Sequence, residues 1–301
     1  MQLRVSFTEG AGFVLAWPAL CARAYGHYAR EGLDVDLIVR SEREQTDGLV
    51  SGEIPIARRG PDPQLRAIDA GAAVRTIAGL VCKPPVHLFA QPGIRSVAEL
   101  RGRTLAGKPG LSASAMLLLL VLADAGLGAA DCSYRDVGRA ENRFEALRSG
   151  EVAAGLLSPP ASARAEAEGF ALLCRLPAAY PRLTYSVLQI DQRFGAAQRA
   201  AVVALLRAEL RAVRWLVDPA NKVPAVQELT RAAGMSAADA AAAYVEMIER
   251  DAVYCTDLAI DAGRMATLID ALDRYAGMPA ASAPEAYLDL SYLEEARTEG
   301  K

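Results

Sequence analysis

The chain has 301 residues, 33 Lys+Arg against 36 Asp+Glu, and a formal charge of −3, with 52% apolar residues. That balance describes a globular protein of one large or two smaller domains and excludes a duplex nucleic-acid binder, which needs a basic stripe. The longest unbroken apolar run, Ala115–Ala123, is about half of what a spanning helix requires, so no membrane insertion is expected.

Gln2–Phe7 alternates as a strand and leads into a helical pattern over Val14–Ala29, with Leu15, Leu20, Ala24 and Tyr28 on one face. Gly32 closes that region and Asp34–Val39 reads as a second strand. Strands are predicted at Pro55–Ala57, Arg75–Val81, Val86–Gln91 and Arg103–Ala106, followed by an apolar helix over Ala113–Ala125. A strand at Ser133–Val137, a helix ending at Ser149 and a strand at Val152–Leu157 follow. Beyond Gln198 the pattern turns helical, over Gln198–Val217, Pro224–Ala233, Ala237–Arg250 and Ala262–Tyr275. Strands alternating with helices imply an α/β protein with largely parallel sheets and a helical C-terminal part.

A weak internal repeat organises the chain. Leu49-Val50-Ser51-Gly52-Glu53-Ile54 recurs as Leu147-Arg148-Ser149-Gly150-Glu151-Val152 at an offset of 98, and Gly32-Leu33 recurs as Gly126-Leu127 at an offset of 94. Each glycine stands where a helix ends, the position that favours left-handed backbone. Chance likeness of helix ends is one explanation; two similar α/β lobes with a ligand cleft between them is the other. In such sheets ligands sit beyond the carboxyl ends of the strands. The loops to watch are therefore Thr8–Phe13, Arg58–Pro61, Gly107–Ser114, Gly138–Arg143 and Ser158–Pro160.

Gly107–Ser114 lies between a strand and a helix start, where unpaired backbone N–H groups and the hydroxyls of Ser112 and Ser114 offer anion donors. Simple capping by those serines is the competing explanation. Arg58-Arg59-Gly60 follows a strand, so either arginine could grip a carboxylate or sulfonate through two N–H groups while Gly60 admits the ligand. A solvated loop pair would look the same, and the sequence does not say which arginine faces inward. Thr8, Glu9, Gly10 and Phe13 of the first loop, Trp17 near it, and Ser158 and Pro159 complete the candidate ligand-binding set. Trp17 and Trp215 also read as packing residues.

His27 and His87 form no ligand pattern, so neither a metal nor a cofactor is expected. His27 is placed as a surface residue near a helix end. Cys21, Cys82, Cys132, Cys174 and Cys255 are odd in number and form no C-x-x-C pair. No disulfide framework is indicated, and five lone thiols favour a reducing compartment. No h-region precedes the first strand. The protein is cytoplasmic if Met1 is the native start and periplasmic if a signal was removed.

Tyr25–Val35 resembles the G-Y/F-x-x-E-G-L-D-V segment of substrate-binding proteins of the nitrate/sulfonate/taurine and NMT1/THI5-like group. Gly93–Arg103 resembles that group's G-I-x-S-x-x-D-L-K-G-K, and Leu147–Ala154 its A-L-x-x-G-x-V-D-A, with Ala153 where Asp is usual. The resemblance implies a type II periplasmic-binding-protein fold: lobe 1 over 1–88 and 188–301, lobe 2 over 89–187, joined by a two-strand hinge. It implies a small organic anion (sulfonate, sulfinate or aromatic carboxylate) held in the cleft by Arg58, with an ABC permease as partner. The group also contains sulfinate desulfinases, and Arg58-Arg59-Gly60-Pro61 is similar to their Arg-x-Gly-Gly. Their nucleophilic cysteine has no counterpart in Thr8–Phe13, and no histidine stands between His27 and His87. Those absences weigh against the known chemistry, while the missing h-region and the five thiols keep a cytoplasmic decarboxylase or desulfinase-like lyase as the alternative.

Overall fold

In the computed structural model, residues 1–8, 11–107 and 113–298 are described. The chain divides into two compact units, one of residues 1–82, 184–265 and 280–301, the other of 83–183 and 266–279. The expected boundaries put every C-terminal helix in the first lobe. The structure instead groups 266–279 with the second unit, where Tyr275 comes within electrostatic reach of Tyr180.

The first unit opens with β1 (Gln2–Phe7), α1 (Ala11–Leu15), α2 (Trp17–Ala24) and β2 (Asp34–Val39). The single helix expected over Val14–Ala29 is broken. Pro18 has no N–H to donate and sits in the first turn of α2, where that loss is tolerated. Then come α3 (Glu42–Ser51), β3 (Ile56–Arg59), α4 (Asp62–Asp69) and β4 (Val74–Val81). Ser41 and Glu44 close a reciprocal capping box at the start of α3, and Gly52 at φ +87° ends that helix.

The second unit contains β5 (His87–Ala90), β6 (Thr104–Ala106), α5 (Ala113–Asp124), β7 (Ser133–Arg135), α6 (Ala140–Arg148) and β8 (Ala154–Leu157). It continues through α7 (Ala161–Ala167), β9 (Ala171–Arg175) and α8 (Leu176–Ala179). The chain re-enters the first unit by β10 (Ser186–Asp191), α9 (Gln192–Ala197), α10 (Arg199–Val217), α11 (Lys222–Ala233) and α12 (Ala237–Tyr244). α12 passes into a π-helical turn at Val245–Arg250; α13 (Ala262–Ala276) and α14 (Ser291–Thr298) follow. No helix among the described residues is long and apolar enough to cross a membrane.

The two sheets have the same plan. The first runs β2-β1-β3-β10-β4 and the second β7-β6-β8-β5-β9. Three strands pair in parallel, and the fourth, β10 or β5, is antiparallel to both of its neighbours. The antiparallel strand is in each case the first one after the chain crosses from one unit to the other. Gly52 and Gly150 both adopt positive φ at helix ends, +87° and +77°. The repeated six-residue segment thus marks the same corner of each sheet.

A large core cluster joins β1, α2, β10 and α10 in the first unit, with Trp17, Leu20, Ile56 and Leu205 among its fully buried members. The second unit packs Phe89, Phe144, Leu147 and Leu157 together.

The cysteine expectation is overturned. Cys82 and Cys255 form a disulfide with Cα atoms 5.3 Å apart across 173 residues of sequence. An antiparallel bridge between Val81 and Tyr254 sets the two side by side, and Cys82 N–H donates to the Val253 carbonyl at 2.8 Å. Sequence spacing does not encode such a pair, because tertiary topology creates it. Cys21, Cys132 and Cys174 remain as thiols.

Candidate functional site

β3 extends two residues beyond its expected end, so Arg58 and Arg59 are strand residues on opposite faces of the sheet. Both are buried, at 4% and 3% exposure. On one face Arg58 Nη1 donates to Glu209 Oε1 of α10 at 2.7 Å, and the Tyr28 hydroxyl donates to the same oxygen at 2.5 Å. Burial and the Glu209 carboxylate push the Tyr28 hydroxyl well above the ordinary phenol range, so it stays a neutral donor. Arg58 Nε and Nη2 have no partner among the described residues. These two groups share the edge with which arginine grips a carboxylate or sulfonate side-on.

On the opposite face Arg59 Nη2 donates to the Glu42 carbonyl at 3.3 Å, while its Nε and Nη1 have no partner among the described residues. Burial lowers the Arg59 pKa against the opposing pull of Glu42 and Asp62. The Asp62 carboxyl is pushed up to about 6 by burial, with Glu42 adding to the effect. Gly60 lies between them: a Cβ there would stand 2.7 Å from Asp62 Oδ1, so a side chain at this position would require the Asp62 carboxyl to move.

The second unit has a cavity of about 130 Å³ where β6 and β8 end and α5 begins. Ser114, Asp136, Gly138 and Arg143 supply its polar lining, with Ala106 and Leu118 on the apolar side. Arg143 Nη1 donates to the Leu156 carbonyl at 3.3 Å, and Gly138 N–H donates to Asp136 Oδ1 at 3.3 Å. Gly155 lets β8 close against β6, since a Cβ would stand 2.9 Å from that of Ala106. A larger groove of about 530 Å³, with Gln91, Arg103 and Glu151 among its residues, lies where β6 and β8 start. Ligands of parallel sheets sit at the opposite, carboxyl end, which favours the smaller cavity.

The sequence-derived candidates separate accordingly. Thr8 is half-buried, with its hydroxyl close against Gly12, and Phe13 stacks edge-on against Phe7 at 5.1 Å. Ser158 and Pro159 are buried at the end of β8. Ser114 opens α5 and lines the cavity. Glu9, Gly10 and Ser112 lie outside the described residues. Trp17 belongs to the core instead of a pocket wall: it is fully buried, donates Nε1–H to the Ala225 carbonyl at 2.9 Å, and meets Tyr244 edge-on. His27, expected at the surface, is 5% exposed, and burial, then Arg30, lowers its pKa.

Asp136 and Arg143 do not stand out in the sequence; only the segment Gly138–Arg143 does, by its place after a strand, and the structure puts Arg143 in α6 instead of a loop. Glu209 gives no signal at all, since it sits within the longest helix of the chain. The remaining thiols of Cys21, Cys132 and Cys174 are all pushed up, chiefly by burial. None of them is an activated nucleophile at neutral pH.

Similar folds occur in solved structures. The periplasmic aliphatic sulphonate binding protein SsuA of Escherichia coli superposes with a TM-score of 0.78 at 18% identity, over 96% of this chain and 92% of that one. The periplasmic nitrate-binding protein NrtA of Synechocystis PCC 6803 gives 0.74 at 14% identity, over 99% and 88%. The desulfurization enzyme DSZB gives 0.71 at 16% identity, over 100% and 99%. No curated protein matches the chain. The shared architecture is the type II periplasmic-binding-protein fold. The NMT1/THI5-like family model matches residues 16–222, well over half of the sequence and including β3 with both arginines, and the chain belongs to that family.

Proposed function

We propose that this protein is the substrate-binding component of an ABC-type importer and takes a small organic anion: a sulfonate, a sulfinate or an aromatic carboxylate. The observation that carries this reading is the buried Arg58 edge. Nε and Nη2 lie out of water with no acceptor among the described residues. Each buried unpaired donor costs about 1–3 kcal/mol, more when charged, unless something accepts from it. A planar or tetrahedral oxyanion satisfies both at once. Gly60 and Thr8 of the same unit are proposed to complete recognition there; Ser114, Ser158, Pro159 and the newly located Arg143 are proposed as ligand groups of the second unit, taken by itself. The names of the sulphonate- and nitrate-binding relatives agree with this ligand class. The Cys82–Cys255 disulfide agrees with an oxidising compartment such as the periplasm.

A thermal-shift screen of small sulfonates, sulfinates and aromatic carboxylates tests the reading. A ligand at about 100 times its dissociation constant adds about 2.7 kcal/mol, enough to raise the melting temperature by several degrees. The shift is expected to vanish in Arg58→Ala. The likeness to DSZB favours a second reading, a lyase on the same fold. Recovery of the ligand unchanged after prolonged incubation rejects it; sulfite or carbon dioxide release supports it. The raised thiols weigh against any version that needs a cysteine nucleophile.

A further inference from the structure

We propose that Glu209 is a charge filter for the Arg58 site, so that the site accepts singly charged anions and rejects doubly charged ones of the same shape. The inference rests on the anion-binding reading and adds a specificity-determining residue to it. Glu209 lies in the middle of α10 with its side chain 1% exposed, and a carboxylate is rarely placed there without a partner. It accepts from Arg58 Nη1 and from the Tyr28 hydroxyl through one oxygen, Oε1, while Oε2 has no partner among the described residues.

Two consequences follow from this geometry. Anchoring through Nη1 fixes the plane of the guanidinium and leaves its buried Nε–Nη2 edge without a partner among the described residues, so Glu209 and Tyr28 position the grip. The carboxylate also cancels the charge of Arg58 before any ligand arrives. Other charges nearby do not restore it: Arg59 points to the opposite face of the sheet, Arg23 is exposed to solvent, and Arg211 is paired with Glu31 at 2.5 Å. An anion on the free edge lies one guanidinium width from the Glu209 carboxylate. At an effective dielectric of about 20 and a separation of about 6 Å, each negative charge on the ligand then loses roughly ten- to hundred-fold in affinity. One charge is offset by the two hydrogen bonds of the grip; the second has no matching cation among the described residues on this face of the sheet.

The discriminating probes are isosteric pairs: methane-, ethane- and benzenesulfonate against the corresponding phosphonates. Titration calorimetry is done at a pH that keeps the phosphonate singly charged and again where it is doubly charged. The wild-type protein is expected to bind sulfonate equally at both pH values. Phosphonate should bind at the lower pH and weaken at least about ten-fold at the higher. In Glu209→Gln that phosphonate loss should shrink to a few-fold or less. In Tyr28→Phe, which keeps the carboxylate, both probes weaken but the selectivity stays.

Sulfonate binding that depends on Arg58, together with phosphonate affinity that does not fall with its second ionisation, overturns the filter and leaves the anion site standing. The filter is equally overturned if Glu209→Gln weakens both probes alike at both pH values. If no probe of either kind binds the wild-type protein, the anion-binding reading fails and the filter with it. The wild-type pH comparison needs no variant, so it decides the matter even where Glu209→Gln folds poorly.

Discussion

The two sheets share one strand order but carry different chemistry at corresponding strands. β3 of the first sheet ends in two buried arginines, one of them paired to a glutamate in the core. β8, its counterpart, is Ala154–Leu157 and entirely apolar; polar groups reach that region from α5, α6 and the loop after β7. The first unit thus places its charge inside the framework, and the second places it on a cavity lining. Charge built into a framework is costly to disturb, whereas charge on a lining is cheap to change. The comparison predicts where mutations destabilise and where they only retune a site.

The largest effect is expected from breaking the framework pair. Glu209→Ala leaves the Arg58 guanidinium buried and uncompensated and should cost about 3–5 kcal/mol in chemical denaturation. Replacing both partners by Leu and Met should recover much of that loss. Equal destabilisation by single and double replacement would show that the pair is not what the core depends on.

Trp17→Ala removes a fully buried indole and should also cost about 3–5 kcal/mol. Trp17→Phe should leave anion affinity within about two-fold, since the indole packs in the core against Tyr244. A large affinity loss in Trp17→Phe would return this residue to the site.

Reducing Cys82–Cys255, or replacing both by serine, should cost about 2–5 kcal/mol. Hydrogen exchange should accelerate first around β4 and 252–258, which the bridge and the disulfide hold together. Acceleration confined to β5–β9 would contradict that placement.

Asp62 gives a smaller effect with a definite sign. Its carboxyl rises from an ordinary value near 3.8 to about 6 in the folded protein. The folded state therefore prefers it protonated: stability from this group is full below about pH 4 and is lost as pH rises through about 6. Asp62→Asn should flatten that window, a change of up to about 3 kcal/mol. An unchanged pH profile in Asp62→Asn would place the titration elsewhere.

Arg143→Ala, on the cavity lining of the second unit, should change stability least, by about 1 kcal/mol or less. Comparable destabilisation by Arg143→Ala and Glu209→Ala would remove the distinction between the two sheets.

Local chemistry made much of this legible in the sequence. β1 and β2 match their expected ranges because alternation and glycine stops are written within a few residues. The repeated Leu-x-Ser-Gly-Glu segment found two equivalent corners because glycine is needed there for positive φ. What stayed hidden depends on distant partners. Period-two alternation puts Arg58 and Arg59 on opposite faces, but only α10 and α3 decide which face holds Glu209 and which Glu42. The disulfide depends on a bridge between segments 173 residues apart. Trp17 looked like a loop neighbour because α11, which accepts its N–H, lies over 200 residues away in sequence.

The anion grip of Arg58 is tested most directly by calorimetric titration of wild-type protein and Arg58→Lys with the small-sulfonate panel. Lysine keeps the charge but loses the two-donor edge. A sulfonate is expected to bind the wild-type protein, and Arg58→Lys to weaken it at least about ten-fold with the fold retained. Binding that is unchanged in Arg58→Lys, or no binding of any sulfonate to the wild-type protein, would contradict the grip.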